Sequence, residues 1–430
     1  MTLFGTSGIR RVVDGGLVQL ALKAGLAVGK PRSRVTVGTD TRTSGSALKH
    51  AVLAGLGAGG AKGYDAGLVP TPTLAFASRN FSCGVMVTAS HNPPEYNGLK
   101  LFNSDGSAFD EAQQKAVEEV ILSDAPPVAP WQEMEASHAY SEAVEEHLER
   151  IIKDFPRLSG LKVVVDCGCG AASLVTPHLL RRMGCQVTAL NCYPSGFFPR
   201  DAEPTEASLG ELMQLTRELK ADLGVAHDGD ADRMVAVDDK GRLVPGDQLL
   251  VLLARERGAR QVVTTVDASM VIDEMGFGVK RTKVGDSFVS VALKKEGGDF
   301  GGEPSGAWIF PGISLCPDGI YATAQVVALA REHRLSALVD AIPRYPLLRG
   351  SVKGQVDMSL LEHRLGDVRG GLVSNTDGIR LGFEDGWLLV RPSGTEPKVR
   401  VTAEARSLTR ARELYESGVQ AIKGALGGKP

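Results

Sequence analysis

The sequence predicts an α/β protein: three related mixed-sheet α/β domains, then a smaller α+β domain, with their loops aimed at one central cleft. A strand ending in Asp and followed by a helix recurs three times, and each repeat leads to a loop rich in functional side chains. Toward the carboxyl end the pattern turns antiparallel. Length agrees, because 430 residues exceed what a single core serves.

The first domain is placed at 1–130. Arg34–Asp40 reads as a strand, and an apolar helix follows over Gly45–Gly60. Gly84-Val85-Met86-Val87 reads as a buried strand, so Ser90 stands at a strand's carboxyl end, where open α/β sheets hold ligands. Pro93 and Pro94 forbid a helix directly after it. A serine on so stiff a loop can accept or carry phosphate, with His91 and Lys100 as proton handlers or phosphate contacts. A Ser-His pair alone is more often structural, and the Gly-x-Ser-x-Gly elbow of a hydrolase is missing. The prolines of Ser123–Pro130 close the domain.

The second domain, 131–241, begins with a Glu-rich helix over Ser141–Lys153. Lys162–Asp166 is its first strand, with a helix starting near Ala171. After the apolar run Leu223–Ala226 comes Asp228-Gly229-Asp230-Ala231-Asp232-Arg233, and then the strand-like Met234–Val237. Three carboxylates converging at a sheet edge make a hard-cation site, suited to Mg²⁺. Gly229 and Ala231 bring no bulk to its centre. A solvated acidic turn or a calcium loop is the alternative, but no Glu follows at the EF-hand distance.

The third domain, 242–345, repeats the order with a strand at Gln261–Asp267, a helix around Ser269–Glu274 and the loop Gly301–Gly306. After each loop the chain returns as a strand to an Asp-Gly type turn, at Asp105-Gly106, Asp239-Lys240-Gly241 and Asp318-Gly319. Pro343–Arg349 reads as a linker to the fourth domain, 346–430. There Ile379–Phe383, Trp387–Val390 and Val399–Ala403 read as antiparallel strands, packed by a helix over Leu408–Lys423. Between the last two strands lies Arg391–Arg400. The Ser393 and Thr395 hydroxyls, the backbone around Gly394 and the guanidiniums of Arg391 and Arg400 form a nest for an anion. A domain hinged in this way can close over substrate and exclude water.

A net charge of −3 excludes a general nucleic-acid footprint. No apolar run reaches the roughly 20 residues that span a bilayer, and the first residues lack a signal pattern, so the expectation is a soluble cytoplasmic protein without a membrane partner. The six cysteines read as reduced packing residues, with Cys167-Gly168-Cys169 the one spacing that hints at a metal pair. A homo-oligomer is compatible with the sequence.

On these motifs the chain resembles the α-D-phosphohexomutases over essentially its whole length. Thr88–Lys100 resembles the phosphoserine loop, Asp228–Arg233 the magnesium loop, Gly302–Gly306 the sugar-recognition loop and Arg391–Arg400 the phosphate-binding loop. Phe4–Arg10 resembles the family's opening, whose arginine contacts the active site. The resemblance implies a fourth domain like the TATA-binding-protein fold, in a heart-like arrangement. It implies that Ser90 carries a phosphoryl group and joins Asp228, Asp230 and Asp232 around Mg²⁺. Arg10, His91 and Lys100 are then the candidates for charge stabilisation and proton transfer. Arg233, Lys283, Glu303, Ser305, Arg391, Ser393, Gly394, Thr395 and Arg400 would bind the substrate, a hexose or hexosamine phosphate. A hexose 1,6-bisphosphate or its amino-sugar equivalent would serve as primer.

Two departures from the family bear on the sugar. Many relatives have His after the residue matching Gly306, where this chain has Ala307-Trp308, so no role of that His carries over. Some hexose-type members have His where this chain has Asp286, and an acidic residue there suits an ammonium at C2. The texture most resembles archaeal phosphoglucosamine mutases, which implies conversion of glucosamine 6-phosphate to glucosamine 1-phosphate. Pro94-Glu95-Tyr96-Asn97 looks instead like the mannose and glucose type, so phosphomannomutase/phosphoglucomutase is the alternative. A Mg²⁺-dependent sugar phosphatase and a non-catalytic sugar-phosphate sensor are remoter readings.

Overall fold

Valine-rich runs form strands buried on both faces, as parallel sheets flanked by helices require. The computed structural model describes residues 3–5, 8–155, 160–366, 371–393 and 397–426. The first sheet contains β1 (Ile9–Val12), β2 (Arg34–Thr39), β3 (Lys62–Leu68), β4 (Cys83–Val87), β5 (Tyr96–Asn103) and β6 (His138–Ala139). The second holds β7 (Lys162–Asp166), β8 (Gln186–Leu190), β9 (Leu223–His227) and β10 (Met234–Val237). In the third are β11 (Gln261–Thr265), β12 (Gly278–Thr282), β13 (Phe300–Glu303) and β14 (Ala307–Ile309). The fourth, fully antiparallel, is β15 (Leu347–Lys353), β16 (Leu372–Ser374), β17 (Ile379–Phe383), β18 (Gly386–Pro392) and β19 (Lys398–Ala405).

The first three sheets share one kernel. Its first strand runs parallel to the second and third, and the third pairs antiparallel with a return strand: β2, β3, β4, β5, then β7, β8, β9, β10, then β11, β12, β13, β14. The Ser90 loop, the acidic loop and the Gly302–Gly306 loop therefore occupy one topological place, the passage from third strand to return strand.

The second and third domains share a continuous core that includes Val165, Val225, Leu250, Phe300, Trp308 and Tyr321. The first and fourth have cores of their own. Trp387 and Leu389 of the fourth domain pack on Val266 of the third. There the Trp387 indole and the Met270 backbone N–H both donate to the buried Glu404 carboxylate, at 2.6 and 2.7 Å. The helix Ala143–Asp154 buries Ala143, His147, Leu148 and Ile151, a single face at helical spacing.

Three expectations change. Asp318-Gly319 is no turn: Asp318 caps the helix Gly319–Glu332, accepting from the Tyr321 N–H at 2.8 Å. The stretch Pro343–Arg349 is not all linker, because Leu347 opens β15, an edge strand whose Arg349, Gly350 and Lys353 suit an edge. The segment after Ser269 is a 3₁₀ helix, Met270–Met275. No described helix is long and apolar enough to cross a membrane. All six cysteines are free, and Cys192 Sγ lies 3.3 Å from Cys167 Sγ.

Candidate active site

Ser90 is 1% exposed and has φ +51, a left-handed backbone that a non-glycine residue holds only where its surroundings over-determine it. Its N–H donates to Thr88 Oγ1 at 2.8 Å, and Thr88 Oγ1 donates to Asp40 Oδ2 at 2.6 Å. This geometry turns the hydroxyl toward the second domain. Ser90 Oγ donates to Asp228 Oδ2 at 2.8 Å and lies 3.3 Å from His91 Nδ1.

The acidic loop meets it from the opposite side. Ala231, with φ +61, carries the same kind of strained backbone. Gly229 is required here because a Cβ on it would lie 2.5 Å from the Ser90 carbonyl oxygen. Asp228, Asp230 and Asp232 are buried and each offers one oxygen within 4.8 Å of the others, a set unique among the described residues. Lys100 on β5 donates to Asp230 Oδ2 at 2.7 Å and to Asp232 Oδ2 at 2.5 Å. Thr71, opening the helix Thr71–Ala77, also donates to Asp230 Oδ2, at 2.6 Å. The other oxygens, Asp230 Oδ1 and Asp232 Oδ1, are buried without a hydrogen-bond partner among the described residues. An all-oxygen set with two unsatisfied carboxylate oxygens fits a hard divalent cation.

Charge is uneven across the cluster. Burial and the neighbouring Asp232 and Asp230 hold the Asp228 carboxyl well above the usual carboxylate range. Burial also opposes ionisation of Asp230, but Lys100, Thr71 and Arg10 outweigh it and hold that group well below. Lys100 moves the other way: burial disfavours its charge, yet Asp230 and Asp232 fix it as an ammonium. His91 is pushed down to about 3 by burial, Arg233 and Arg10, so its imidazole is neutral at physiological pH. Arg10 on β1 reaches the loop itself, donating to Asn92 Oδ1 at 3.1 Å.

The third loop is bonded to the second. Met234 N donates to the Gly306 carbonyl at 2.9 Å, and the Trp308 indole donates to the Met234 carbonyl at 2.8 Å. Trp308 is thus a buried clamp between two domains. Glu303 accepts from Gly285 N at 2.8 Å and is pushed up to about 7, by burial first and then by Asp286. Ser305 beside it is exposed, and Lys283 is exposed with its ammonium 5.6 Å from the Phe288 ring centre. Arg233 is tied back by Glu203 at 2.8 Å.

In the fourth domain, Arg391 lies at a contact with the third. Arg391 Nη1 and Val284 N both donate to Asp377 Oδ2, each at 3.1 Å. Arg391 and Arg400 are directly opposite on β18 and β19, a like-charge pairing that an anion would relieve. Ser393 Oγ is buried with no partner among the described residues. Gly394 and Thr395 lie outside the described residues.

Sequence reasoning passed over Thr71, Asp40, Arg42 and Glu203. Asp40 was visible as the acidic end of a strand. Nothing local marks Thr71, whose partner Asp230 is 159 residues away.

Comparison with known proteins gives a consistent result. Models of the phosphoglucomutase/phosphomannomutase family match in sequence: alpha/beta/alpha domain I at residues 1–126, domain II at 138–241, domain III at 245–345 and the C-terminal domain at 355–419. A probable phosphoglucosamine mutase of Methanocella arvoryzae is 48% identical, covering 98% of each chain. The phosphoglucosamine mutase of Methanocaldococcus jannaschii is 40% identical, covering 99% of each. Among solved structures, a phosphoglucomutase/phosphomannomutase family protein from Burkholderia thailandensis superposes with a TM-score of 0.89 at 28% identity, covering 100% of this chain and 98% of that one. With four domains matched in order and relatives aligned from end to end, the chain belongs to the phosphoglucomutase/phosphomannomutase family.

Proposed function

We propose that the protein interconverts glucosamine 6-phosphate and glucosamine 1-phosphate through a phosphoserine at Ser90. The observation that carries this reading is the Ser90 hydroxyl 2.8 Å from Asp228, facing three buried carboxylates. Asp228, Asp230 and Asp232, joined by an oxygen of phosphorylated Ser90, would hold Mg²⁺. The bound ion supplies positive charge that neutralises the phosphoryl oxygens and polarises phosphorus.

Phosphorylated Ser90 gives its phosphoryl group to the sugar O1, whose proton ends on the Ser90 oxygen, leaving a free serine and a 1,6-bisphosphate. The bisphosphate turns in the cleft, the 6-phosphoryl group passes to the Ser90 oxygen, whose proton goes to the sugar O6, and the sugar 1-phosphate leaves. Phosphoryl transfer asks mainly for in-line placement and charge stabilisation. Arg10 and Lys100 supply fixed positive charge beside Ser90. Neutral His91, 3.3 Å from Ser90 Oγ, can accept a hydrogen bond from the serine or pass on its proton. Arg391, Ser393, Gly394, Thr395 and Arg400 would grip the phosphate that is not reacting. A hexose 1,6-bisphosphate would prime the enzyme. A cytoplasmic location goes with substrates whose charge keeps them inside the cell.

Asp286 acts on Glu303 at the sugar loop and helps raise it, and an ammonium at C2 would favour the ionised form of Glu303. The names of the archaeal relatives point the same way. A neutral hexose phosphate is the second reading, because Glu303 at about 7 is half protonated near neutrality and can serve hydroxyls. The test is a panel of glucosamine, glucose and mannose 6-phosphates, each primed with its bisphosphate. The highest kcat/KM should go to the amino sugar. Preference for glucose or mannose would replace the sugar assignment, and release of inorganic phosphate in place of the isomer would make the protein a phosphatase.

A further inference from the structure

Arg42 lies just past β2 and is 3% exposed, with a guanidinium that has no access to solvent. Guanidinium carries five N–H donors in a rigid planar fork. All five find acceptors. Nη2 donates to the carbonyls of Ser90 at 2.8 Å and Asn92 at 2.6 Å; Nη1 donates to those of Pro93 at 2.6 Å and Tyr96 at 2.9 Å. Nε donates to Asp40 Oδ2 at 3.2 Å. One side chain thus gathers four carbonyls of the serine loop, including that of Ser90.

Asp40 completes the frame. Besides Arg42 Nε it accepts from the Arg42 N–H at 3.0 Å and from the Thr88 hydroxyl, which in turn accepts from Ser90 N. The Ser90 peptide is therefore held from its carbonyl by Arg42 and from its N–H by Thr88 and Asp40. From the second domain the Phe198 ring covers the guanidinium, its centre 5.2 Å from Cζ, and Gly196 approaches the Thr41 carbonyl. The loop Ser90–Tyr96 has few hydrogen bonds of its own, since Pro93 and Pro94 bring no N–H. Its shape, and the left-handed backbone of Ser90, are imposed from outside.

We propose that Arg42 is the positioning residue that sets the Ser90 hydroxyl in line for phosphoryl transfer, with Asp40 orienting its guanidinium. Arg42 touches neither substrate nor phosphorus and acts through the loop carbonyls. The inference rests on the reading of Ser90 as the phosphoryl carrier. Lysine cannot replace it, because three donors radiating from one nitrogen cannot span four carbonyls and a carboxylate.

The experiment compares the parent with Arg42→Ala, Arg42→Lys and Ser90→Ala. It records kcat, KM for the sugar phosphate, the rate at which a hexose 1,6-bisphosphate phosphorylates the protein by intact mass, and the unfolding midpoint. Arg42→Ala should lose about 100-fold in kcat and in the phosphorylation rate, the size expected when a reacting group is misplaced by roughly 1 Å. KM should stay unchanged, and millimolar guanidinium should restore part of the rate. Arg42→Lys should fold like the parent yet remain at least about 10-fold slow. Should Arg42→Ala fail to fold, Arg42→Lys decides. Parent-like rates in Arg42→Lys, or a change in KM alone, overturn the proposal while leaving Ser90 in its role. Normal turnover in Ser90→Ala removes the phosphoserine reading itself, and the positioning role with it.

Discussion

At Ser90 four loop carbonyls converge on a single buried guanidinium, whereas in the fourth domain Arg391 and Arg400 stand opposite each other and the buried Ser393 hydroxyl has no partner among the described residues. Both regions would meet phosphate in the proposed reaction, yet the Arg42 guanidinium behind Ser90 has every donor engaged, whereas near Arg391, one of whose donors is held by Asp377, the Ser393 hydroxyl has no partner among the described residues. The contrast follows from their tasks. A group that exchanges phosphorus needs one geometry, and fixing it in advance removes the cost of ordering during reaction. A grip that must take either of two phosphates needs open donors, since a satisfied donor has nothing left for the ligand.

The comparison can be broken most sharply at the reacting group. Ser90→Ala should lower kcat by at least about 10³-fold, because it removes the hydroxyl proposed to carry the group. A phosphate-labelled intact mass for that variant would end the assignment.

Next comes the acidic loop. Asp230→Asn removes one oxygen charge from the proposed cation site and one ionic partner of Lys100, and should cost roughly 100-fold in rate with a parallel rise in the Mg²⁺ needed for half activity. A titration of activity against metal separates the two, and an unchanged metal requirement would place the cation elsewhere. Thr71→Val, which removes only the hydroxyl behind Asp230, should show the same change at about 10-fold.

The open region should respond differently. Arg391→Ala removes a charge-assisted donor, worth about 1.5–3 kcal/mol, and should raise KM by roughly 10- to 100-fold while leaving the Mg²⁺ requirement near that of the parent. A fall in kcat at constant KM would show that the two regions are not separate in function.

The smallest expected effect concerns pH. Glu303 is pushed up to about 7, so between pH 6 and pH 7.5 it passes from mostly protonated to mostly ionised. An ammonium-bearing sugar prefers the ionised form, so its KM should fall several-fold as pH rises across that window. For glucose 6-phosphate the slope should be absent, and Glu303→Gln should flatten it for the amino sugar. His91, neutral above about 3, contributes nothing to that window.

The chemistry-bearing loops were legible because their composition is local. Three aspartates spaced by Gly and Ala suggest a cation site whatever surrounds them, and the fold brings one oxygen of each within 4.8 Å of the others; a serine before two prolines suggests a stiff loop. The strand-helix repeats were legible for a similar reason, since buried parallel strands read as unbroken apolar runs. Weakly patterned elements were not: the first residues of β15, Leu347–Arg349, read as linker until β19 pairs with the strand. Asp318-Gly319 reads as a turn until the helix it caps is seen.

What the chain could not disclose is which distant groups serve the loops. Arg42 meets the carbonyls of Ser90 and Tyr96 across 48 and 54 residues of sequence, and Thr71 meets Asp230 across 159. An arginine after a strand is ordinary in sequence; five satisfied donors in a dry interior are a property of the packed molecule. The kinds of chemistry available lie in the residue types, which are written locally. Their alignment depends on folding, because hydrogen-bond geometry and desolvation exist only once remote segments have been brought within about 3 Å of one another.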